Sequence, residues 1–590
     1  MRPSPRREPC KSMRLSGRVR ARRRITVMSV VHGLSLLALS AGGTGLLASA
    51  VNAGGSTFTS EDLAPPAASE EAQRGVIREE LDPVISPDGS GLPYELWSGL
   101  SPDKLAESIA QLDLPPRSRT LNGLWRRLIA SDVASPGASP ARFTALRVEA
   151  LDQSGLIEEA AAVLARDASA EKDPLHMALS ARSEIGLGNA ERGCEIGKGL
   201  LAVRSALPKP VQADALLING YCALQRGDAD GAALQASLLR DLDLSASPGA
   251  DLLDAAAAGV APSIPTGVKL SPLDYRIGSV KGGFDRDRLI GAASPALLAA
   301  LAHDPRTAPD VRLAAGEAAT QLHILTPQAL LALYRAPGAG GDAGTIERAR
   351  LLASAESEKT PLKKARLIRA FLDESRRVGL YWPALQLMAD PTQVLEPVPE
   401  IGWFAETAIE VAIASGNFDA ARRWASFSGS ADSLNPAASQ PLAHWIVLAD
   451  LADPSAGTDR GGGLAAVEAM TLGGRFDAGL LHRLTTALDA LDLAVPMALW
   501  DQASRVPQPA GGHLPDTGVL SELAEASRKK EFGRTVLLVM RAIGPQGAEG
   551  AHLIAFGDSL RALKRAGLEA EARQLAVEGL FAAWPRAVSQ

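Results

Sequence analysis

Aromatic residues are scarce in this sequence. They make up 4% of its 590 residues, although 46% of the residues are hydrophobic. The apolar content is therefore mostly Ala, Leu and Val, which favours helices packed closely through small residues and disfavours β-sandwiches, which need β-branched and aromatic side chains. No stretch alternates between apolar and polar residues for long enough to indicate a strand. We expect an all-α fold.

Metal-binding patterns are also lacking. The eight histidines are scattered, and no His-Glu-x-x-His motif or other paired-ligand spacing occurs. The carboxylates are abundant, but solvated helix faces explain them, and no pair stands out for acid–base chemistry. We therefore predict no metal site and no cofactor.

Negative charge prevails over most of the chain. The net charge is −6, yet residues 1–53 carry ten Lys and Arg residues against a single acidic residue, Glu8. The remainder is correspondingly more acidic, which argues against nucleic-acid binding.

Residues 1–53 have the pattern of a secretory signal peptide. Arg22-Arg23-Arg24 precedes an apolar run, and Val51 and Ala53 occupy the −3 and −1 positions of a cleavage site. We predict cleavage after Ala53 and a periplasmic or secreted protein, with Met1 or Met13 as its start. The alternative is an uncleaved inner-membrane anchor, because residues 25–53 contain 29 residues without a charge.

The composition divides the rest of the chain into three parts and a joint. Residues 54–90 mix Gly, Ser, Pro and acidic residues with little to bury, so we predict a disordered linker. An N-terminal helical-hairpin segment (91–258) and a C-terminal helical-repeat segment (273–590) follow. The joint between them (259–272) contains Val-Ala-Pro-Ser-Ile-Pro-Thr-Gly, which interrupts the helical pattern.

One helix–turn–helix pattern recurs along the chain. An apolar helical run ends at a glycine, the next helix starts at once, and a small residue stands five places after the glycine. Glycine adopts the left-handed conformation that ends a helix, and the small residue lets two antiparallel helices approach. The turn glycines are Gly155, Gly188, Gly227, Gly379, Gly416 and Gly567. Among them we expect helices near 142–153, 157–166, 174–186, 190–204, 210–225 and 229–240.

The spacing of these turns resembles that of tetratricopeptide-type repeats. Intervals of 33 and 39 residues separate Gly155, Gly188 and Gly227, which bracket that family's period of about 34 residues. Gly220, Gly227 and Ala232 stand at the relative spacing of the family's small positions, whereas Leu216 and Ala236 replace its usual Trp and Phe. The resemblance implies a right-handed α-solenoid of stacked antiparallel hairpins in degenerate form. The chain also resembles uncharacterised Ala/Leu-rich secreted proteins of proteobacteria and the superhelical, non-catalytic part of soluble lytic transglycosylases.

Two cysteines, Cys194 and Cys222, lie in adjacent predicted helices. Cys194 falls about one turn into one helix and Cys222 about one turn before the end of the next, so antiparallel packing brings them together. Export favours a disulfide, which would contribute roughly 3 kcal/mol by loop entropy. The alternative is a pair of buried free thiols.

The block Phe556-Gly-Asp-Ser-Leu560 has the letters of the nucleophile motif of GDSL-type hydrolases. That family places the motif near the start of an α/β domain, with an Asp-x-x-His pair far downstream. Here no histidine follows Leu560, and the block reads as helix. We interpret it as a chance match and assign no catalytic residue.

Four tryptophans are spaced by 21 residues: Trp382, Trp403, Trp424 and Trp445. This interval approximates one helix plus one loop, so they fall on successive helices. They indicate either an aromatic-lined groove for a peptide or glycan, or core filling between helices.

The sequence thus predicts an exported, non-catalytic helical-repeat scaffold that binds an unknown protein partner in the cell envelope. Its concave surface would supply the binding site. It would touch a membrane only through an uncleaved N-terminus. The alternatives are a cell-envelope enzyme acting on peptidoglycan, or its accessory subunit, with the solenoid as frame, and a membrane-tethered structural component.

Overall fold

Proline and short polar side chains fix where many helices begin. In the computed structural model the Ser101 side chain accepts a hydrogen bond from the backbone N–H of Lys104, and Pro102 follows at the first helical position. Ser294 and Thr326 cap their helices in the same way, each followed by proline. Proline suits this position because its missing N–H would have no intrahelical partner there.

The structure describes residues 96–131, 140–166, 173–244, 248–336, 343–427, 442–453, 455 and 461–586. All of them belong to one unit, Arg74–Gln590. The predicted signal peptide or anchor (1–53) and the predicted linker (54–90) lie outside the described residues. None of the described helices is both long and apolar enough to cross a bilayer.

Thirty α-helices follow one another within these ranges. The first ten are α1 (Pro102–Ala110), α2 (Arg119–Ala130), α3 (Pro140–Gln153), α4 (Ile157–Arg166), α5 (Pro174–Gly186), α6 (Ala190–Ile196), α7 (Leu200–Val203), α8 (Lys209–Gln225), α9 (Ala229–Asp241) and α10 (Gly249–Ala257). The next ten are α11 (Pro272–Gly278), α12 (Arg286–Ala292), α13 (Pro295–His303), α14 (Pro309–Gln321), α15 (Pro327–Arg335), α16 (Ala343–Ser357), α17 (Pro361–Arg377), α18 (Tyr381–Leu387), α19 (Ala389–Gln393) and α20 (Ala405–Ala414). The last ten are α21 (Phe418–Ser426), α22 (His444–Ala452), α23 (Gly461–Leu472), α24 (Ala478–Ala490), α25 (Met497–Ser504), α26 (Val519–Arg528), α27 (Phe532–Ile543), α28 (Gly547–Gly550), α29 (Leu553–Arg565) and α30 (Glu569–Phe581).

Two short 3-10 helices (Arg204–Ala206 and Pro399–Phe404) and two isolated β-bridges complete the regular structure. The described residues contain no strand. The predicted all-α class is confirmed.

The six predicted turn glycines all lie between two helices with positive φ. The small residue five places later is buried in every case: Ala160, Gly193, Ala232, Ala384, Ala421 and Ala572. At Gly193 an added Cβ would lie 2.5 Å from Cγ1 of Ile185 and 3.0 Å from the carbonyl oxygen of Ala181. Helices α5 and α6 therefore approach so closely that only glycine fits between them.

The sequence predicts the bounds of most of the hairpin helices closely, but it is wrong about one of them. Helices α4 and α5 have the predicted bounds, but the single helix predicted over 190–204 is wrong. Helix α6 ends at Ile196, and a new helix starts at Leu200 after Gly199, which has a φ of 88°. A left-handed residue cannot continue a right-handed helix, so the glycine separates two short helices.

Ion pairs recur between elements about one hairpin apart. Arg422 binds Asp450 and Asp453, which lie 28 and 31 residues later. Arg348 binds Glu317 across 31 residues, and both side chains are buried. These contacts fix the register of one hairpin on the next, because a shifted register would leave a charge unpaired.

The predicted joint (259–272) falls mostly in the helix-free stretch 258–271, and helices α10 and α11 on its two sides are in contact.

The beginning and the end of the described chain also pack together. Helix α2 contacts α27 and α30. The backbone N–H of Gly533 donates to the Leu96 carbonyl at 3.0 Å, and that of Thr120 donates to Oε2 of Glu578 at 3.2 Å. In an open solenoid each repeat contacts only its neighbours. Here an early helix, α2, contacts two of the last helices of the described chain.

Candidate functional site

Three hairpins present one charged cluster. Helices α3, α5 and α8 are each the first helix of a hairpin, and α5 packs between the other two. Asp152 on α3, Arg182 on α5 and Asp214 on α8 stand 30 and 32 residues apart. Because the spacing approximates one hairpin, the stack brings equivalent positions of successive helices side by side.

Arg182 holds three carboxylates at once. Its Nη2 lies 2.7 Å from Oδ2 of Asp152 and 2.8 Å from Oε1 of Glu149, and its Nη1 lies 2.8 Å from Oδ2 of Asp214. The Glu149 side chain is 41% exposed, whereas those of Arg182, Asp152 and Asp214 are 18%, 25% and 21% exposed. Glu149 is therefore the member of the cluster most accessible to an incoming group.

The cluster lines a cavity of about 490 Å³, which we call the acidic pocket. Its other walls are the loop Leu112–Leu114 and the N-terminal ends of α11 and α13, at Ser271–Leu273 and Ser294–Ala296. The volume lies in the range of natural ligand sites, which combine apolar walls with a few charged groups.

The electrostatics of the acidic pocket favour a cation. Burial raises the pKa of Asp152 from 3.8 to about 6, against the opposing effect of Arg182. Burial also raises the pKa of Asp214. Although burial opposes it, the pKa of Arg182 is raised by the three carboxylates. With every group ionised, one guanidinium faces three carboxylates, so a positively charged group that enters relieves their repulsion.

The predicted disulfide involves α8, one of the helices of the acidic pocket. The structure joins Cys194 to Cys222 with their Cα atoms 5.7 Å apart, as the sequence predicts. The bond ties α6 to α8, the helix that carries Asp214.

The four tryptophans do not share one exposed surface. Trp424 and Trp445 are buried, and Trp403 is 49% exposed. Trp382 is half-buried, with the guanidinium of Arg119 over its ring at 3.4 Å and Phe581 against its edge. Two of the four therefore fill the core, and Trp382 lines a different cavity from the acidic pocket.

The block Phe556–Leu560 lies inside helix α29 rather than at the end of a strand. Ser559 is fully buried there, and its Oγ has no hydrogen-bond partner among the described residues. This placement differs from the exposed nucleophile that the motif requires.

The Arg182 cluster was not singled out from the sequence. The pattern that could have revealed it is the recurrence of charged residues at 149 and 152, at 182 and at 214, at intervals close to the length of one hairpin. Abundant carboxylates elsewhere in the sequence make this pattern hard to recognise. In the described part of the chain no group of three His, Cys, Asp or Glu residues is placed to hold a metal ion.

Comparison of the chain with protein-family models, with curated proteins and with solved structures finds no match.

Proposed function

We propose that this protein is an exported, non-catalytic helical-repeat scaffold that binds a protein partner in the cell envelope. Its hairpins form a degenerate, right-handed tetratricopeptide-like solenoid. The partner inserts a lysine or arginine side chain into the acidic pocket. Export rests on the signal-like pattern of residues 1–53, and anchoring by residues 25–53 remains the alternative.

The observation that carries the proposal is the surplus of carboxylates around Arg182. Arg422 also binds more than one carboxylate, but the Arg182 cluster lines a cavity of about 490 Å³. Additional partly buried carboxylates cost stability through desolvation and repulsion. An inserted cation would balance this surplus, and Glu149 is exposed enough to meet it.

The test is capture of partners from envelope extract with the full-length protein, followed by mass spectrometry. The double variant Glu149→Gln, Asp214→Asn leaves Arg182 balanced by Asp152 alone, so the pocket becomes neutral without an unpaired arginine. A matched control removes two exposed carboxylates elsewhere, Glu195→Gln with Asp251→Asn.

We expect a partner captured by the wild type and the control to bind the pocket variant at least tenfold more weakly. Equal capture by all three proteins would refute the role of the pocket. The absence of any enriched partner would refute the scaffold.

A second candidate function is a cell-envelope enzyme acting on peptidoglycan. It is favoured by Asp152, since a carboxyl with a pKa near 6 beside ionised neighbours is suited to donate a proton near neutral pH. The test is release of soluble fragments from purified peptidoglycan. The enzyme reading requires release by the wild type and loss of at least 100-fold in Asp152→Asn, with Asp251→Asn unchanged. No release by the wild type would exclude it.

A further inference from the structure

A second cavity of about 460 Å³ lies where early, central and late helices of the described chain meet. Helix α2 contributes Arg119, the start of α18 contributes Trp382, and α30 contributes Gln574 and Val577. The turn at Gly416, between α20 and α21, lines it as well. We call it the closure pocket because early and late helices of the described chain meet there.

The charge of the closure pocket is opposite to that of the acidic pocket. Its charged lining consists of Arg119 and Arg126, with His323 as a further titratable group, and no Asp or Glu of the described ranges lines it. Arg126 is already paired, because its guanidinium contacts the carboxylate of Glu159. Burial lowers the pKa of His323, which favours a neutral ring at pH 7.

Arg119 is the unusual group. Its guanidinium carbon lies 3.4 Å from the centre of the Trp382 ring, but among the described residues the guanidinium makes no hydrogen bond or ion pair with the protein. Burial lowers its pKa, while Glu578 and Glu549 oppose that effect from a distance. One of these, Glu578, already accepts a hydrogen bond from the backbone of Thr120.

The donors of this guanidinium are not sealed in the core. Arg119 is partly exposed and carries five N–H donors, so those donors remain available to water or to a ligand in the cavity. Stacking on tryptophan stabilises the cation and fixes its plane without using those donors. The N–H donors of Arg119 therefore remain free to bind an oxyanion through two parallel hydrogen bonds.

The rest of the lining limits the size and character of the occupant. The side-chain amide of Gln574 supplies a further polar group, whereas those of Asn122 and Gln386 donate to backbone carbonyls. Ile413, Phe418 and Val577 form an apolar wall. The volume suits a small molecule rather than a folded partner. We propose that the closure pocket binds a small organic oxyanion, a carboxylate or a phosphate ester, through Arg119. This inference is independent of the partner proposed for the acidic pocket.

The test is calorimetric titration of the full-length protein at constant ionic strength with three probes. Citrate supplies carboxylates, glycerol 3-phosphate supplies a phosphate ester, and glycerol is the uncharged control. The variants are Arg119→Gln, which keeps the size and removes the charge, and Arg350→Gln, which removes an exposed arginine paired with Glu347. Thermal unfolding of each variant shows that it is folded.

We expect saturable binding of citrate or glycerol 3-phosphate, and the arm that binds identifies the oxyanion. Arg119→Gln should weaken it at least tenfold, whereas Arg350→Gln should change it less than twofold. If Arg119→Gln does not fold, Arg126→Gln provides the second measurement, with an expected weakening of about threefold. Equal weakening by Arg350→Gln, unchanged binding in Arg119→Gln, or no saturable binding of either anion would each overturn the proposal.

Discussion

Two arginines in cavities of similar size have opposite surroundings. Arg182 in the acidic pocket contacts three carboxylates. Arg119 in the closure pocket contacts no carboxylate in the part of the chain that the structure describes, and its guanidinium rests on the indole ring of Trp382. The first cluster joins helices about 30 residues apart, whereas the second joins Arg119 to Trp382 and to the C-terminal helix α30. Contacts between successive hairpins thus gather three carboxylates around the single base Arg182. Contacts between the early and late helices form an ion pair of their own, between Arg127 and Glu571, but leave Arg119 stacked on Trp382.

The largest expected effect is a difference between the two arginines in how much each contributes to the free energy of unfolding. Arg182→Met leaves three partly buried carboxylates without a counter-charge, so we expect the free energy of unfolding to fall by about 3–5 kcal/mol. Arg119→Gln loses only a cation–π contact and should change it by at most about 1 kcal/mol. Urea unfolding at pH 7 measures both. Similar losses in the two variants would mean that the pockets do not differ in the way described.

Reduction should weaken the region of the acidic pocket and leave the closure pocket unaffected. The Cys194–Cys222 bond closes a loop of about 29 residues, whose removal costs roughly 3 kcal/mol in the chain-entropy model. We expect the double variant Cys194→Ser, Cys222→Ser to lose about that amount in urea unfolding. Amide hydrogen exchange should increase in α6 and α8 and stay constant in α2 and α18. Uniformly faster exchange would contradict this localisation.

Acidification should stabilise the acidic pocket specifically. The pKa of Asp152 is raised to about 6 in the folded protein from 3.8, so the folded state binds this proton more tightly than the unfolded state. The resulting stabilisation is complete below about pH 3.8 and is lost as the pH rises through about 6. We expect about 1–2 kcal/mol more stability from this group at pH 5 than at pH 7.

The measurement is the difference between wild type and Asp152→Asn, which should show a much smaller gain over the same interval. The pKa of Asp304 is shifted in the opposite direction to that of Asp152. Hydrogen bonds from Arg306 and Arg276 outweigh burial and lower the pKa of Asp304 to about 2, so its contribution is lost below about pH 4. A wild type and variant with the same pH profile between 5 and 7 would refute the raised pKa of Asp152.

The comparison also shows how far the sequence alone reaches. Helix α5 and the bond between Cys194 and Cys222 were predictable because caps, turn glycines and the hairpin register act over short stretches of chain. The stacking of Arg119 on Trp382 was not, since it depends on how all the helices between these two residues pack. The break at Gly199 was missed for a local reason: a single glycine is tolerated within helices, so it does not by itself signal an end.

The smallest expected effect tests whether a turn glycine at the closure pocket serves only the backbone. Gly416 has a φ of 75°, and an added Cβ would meet no atom within 4 Å. Gly416→Ala should therefore cost about 1 kcal/mol through the left-handed conformation alone. Gly227→Ala is the matched control, because Gly227 has a φ of 79° and similar open space but lies outside both pockets. If both variants lose the same stability in urea unfolding and bind citrate and glycerol 3-phosphate as the wild type does, Gly416 serves only the backbone of the turn. Weaker anion binding in Gly416→Ala alone would instead show that the closure pocket depends on the geometry of this turn.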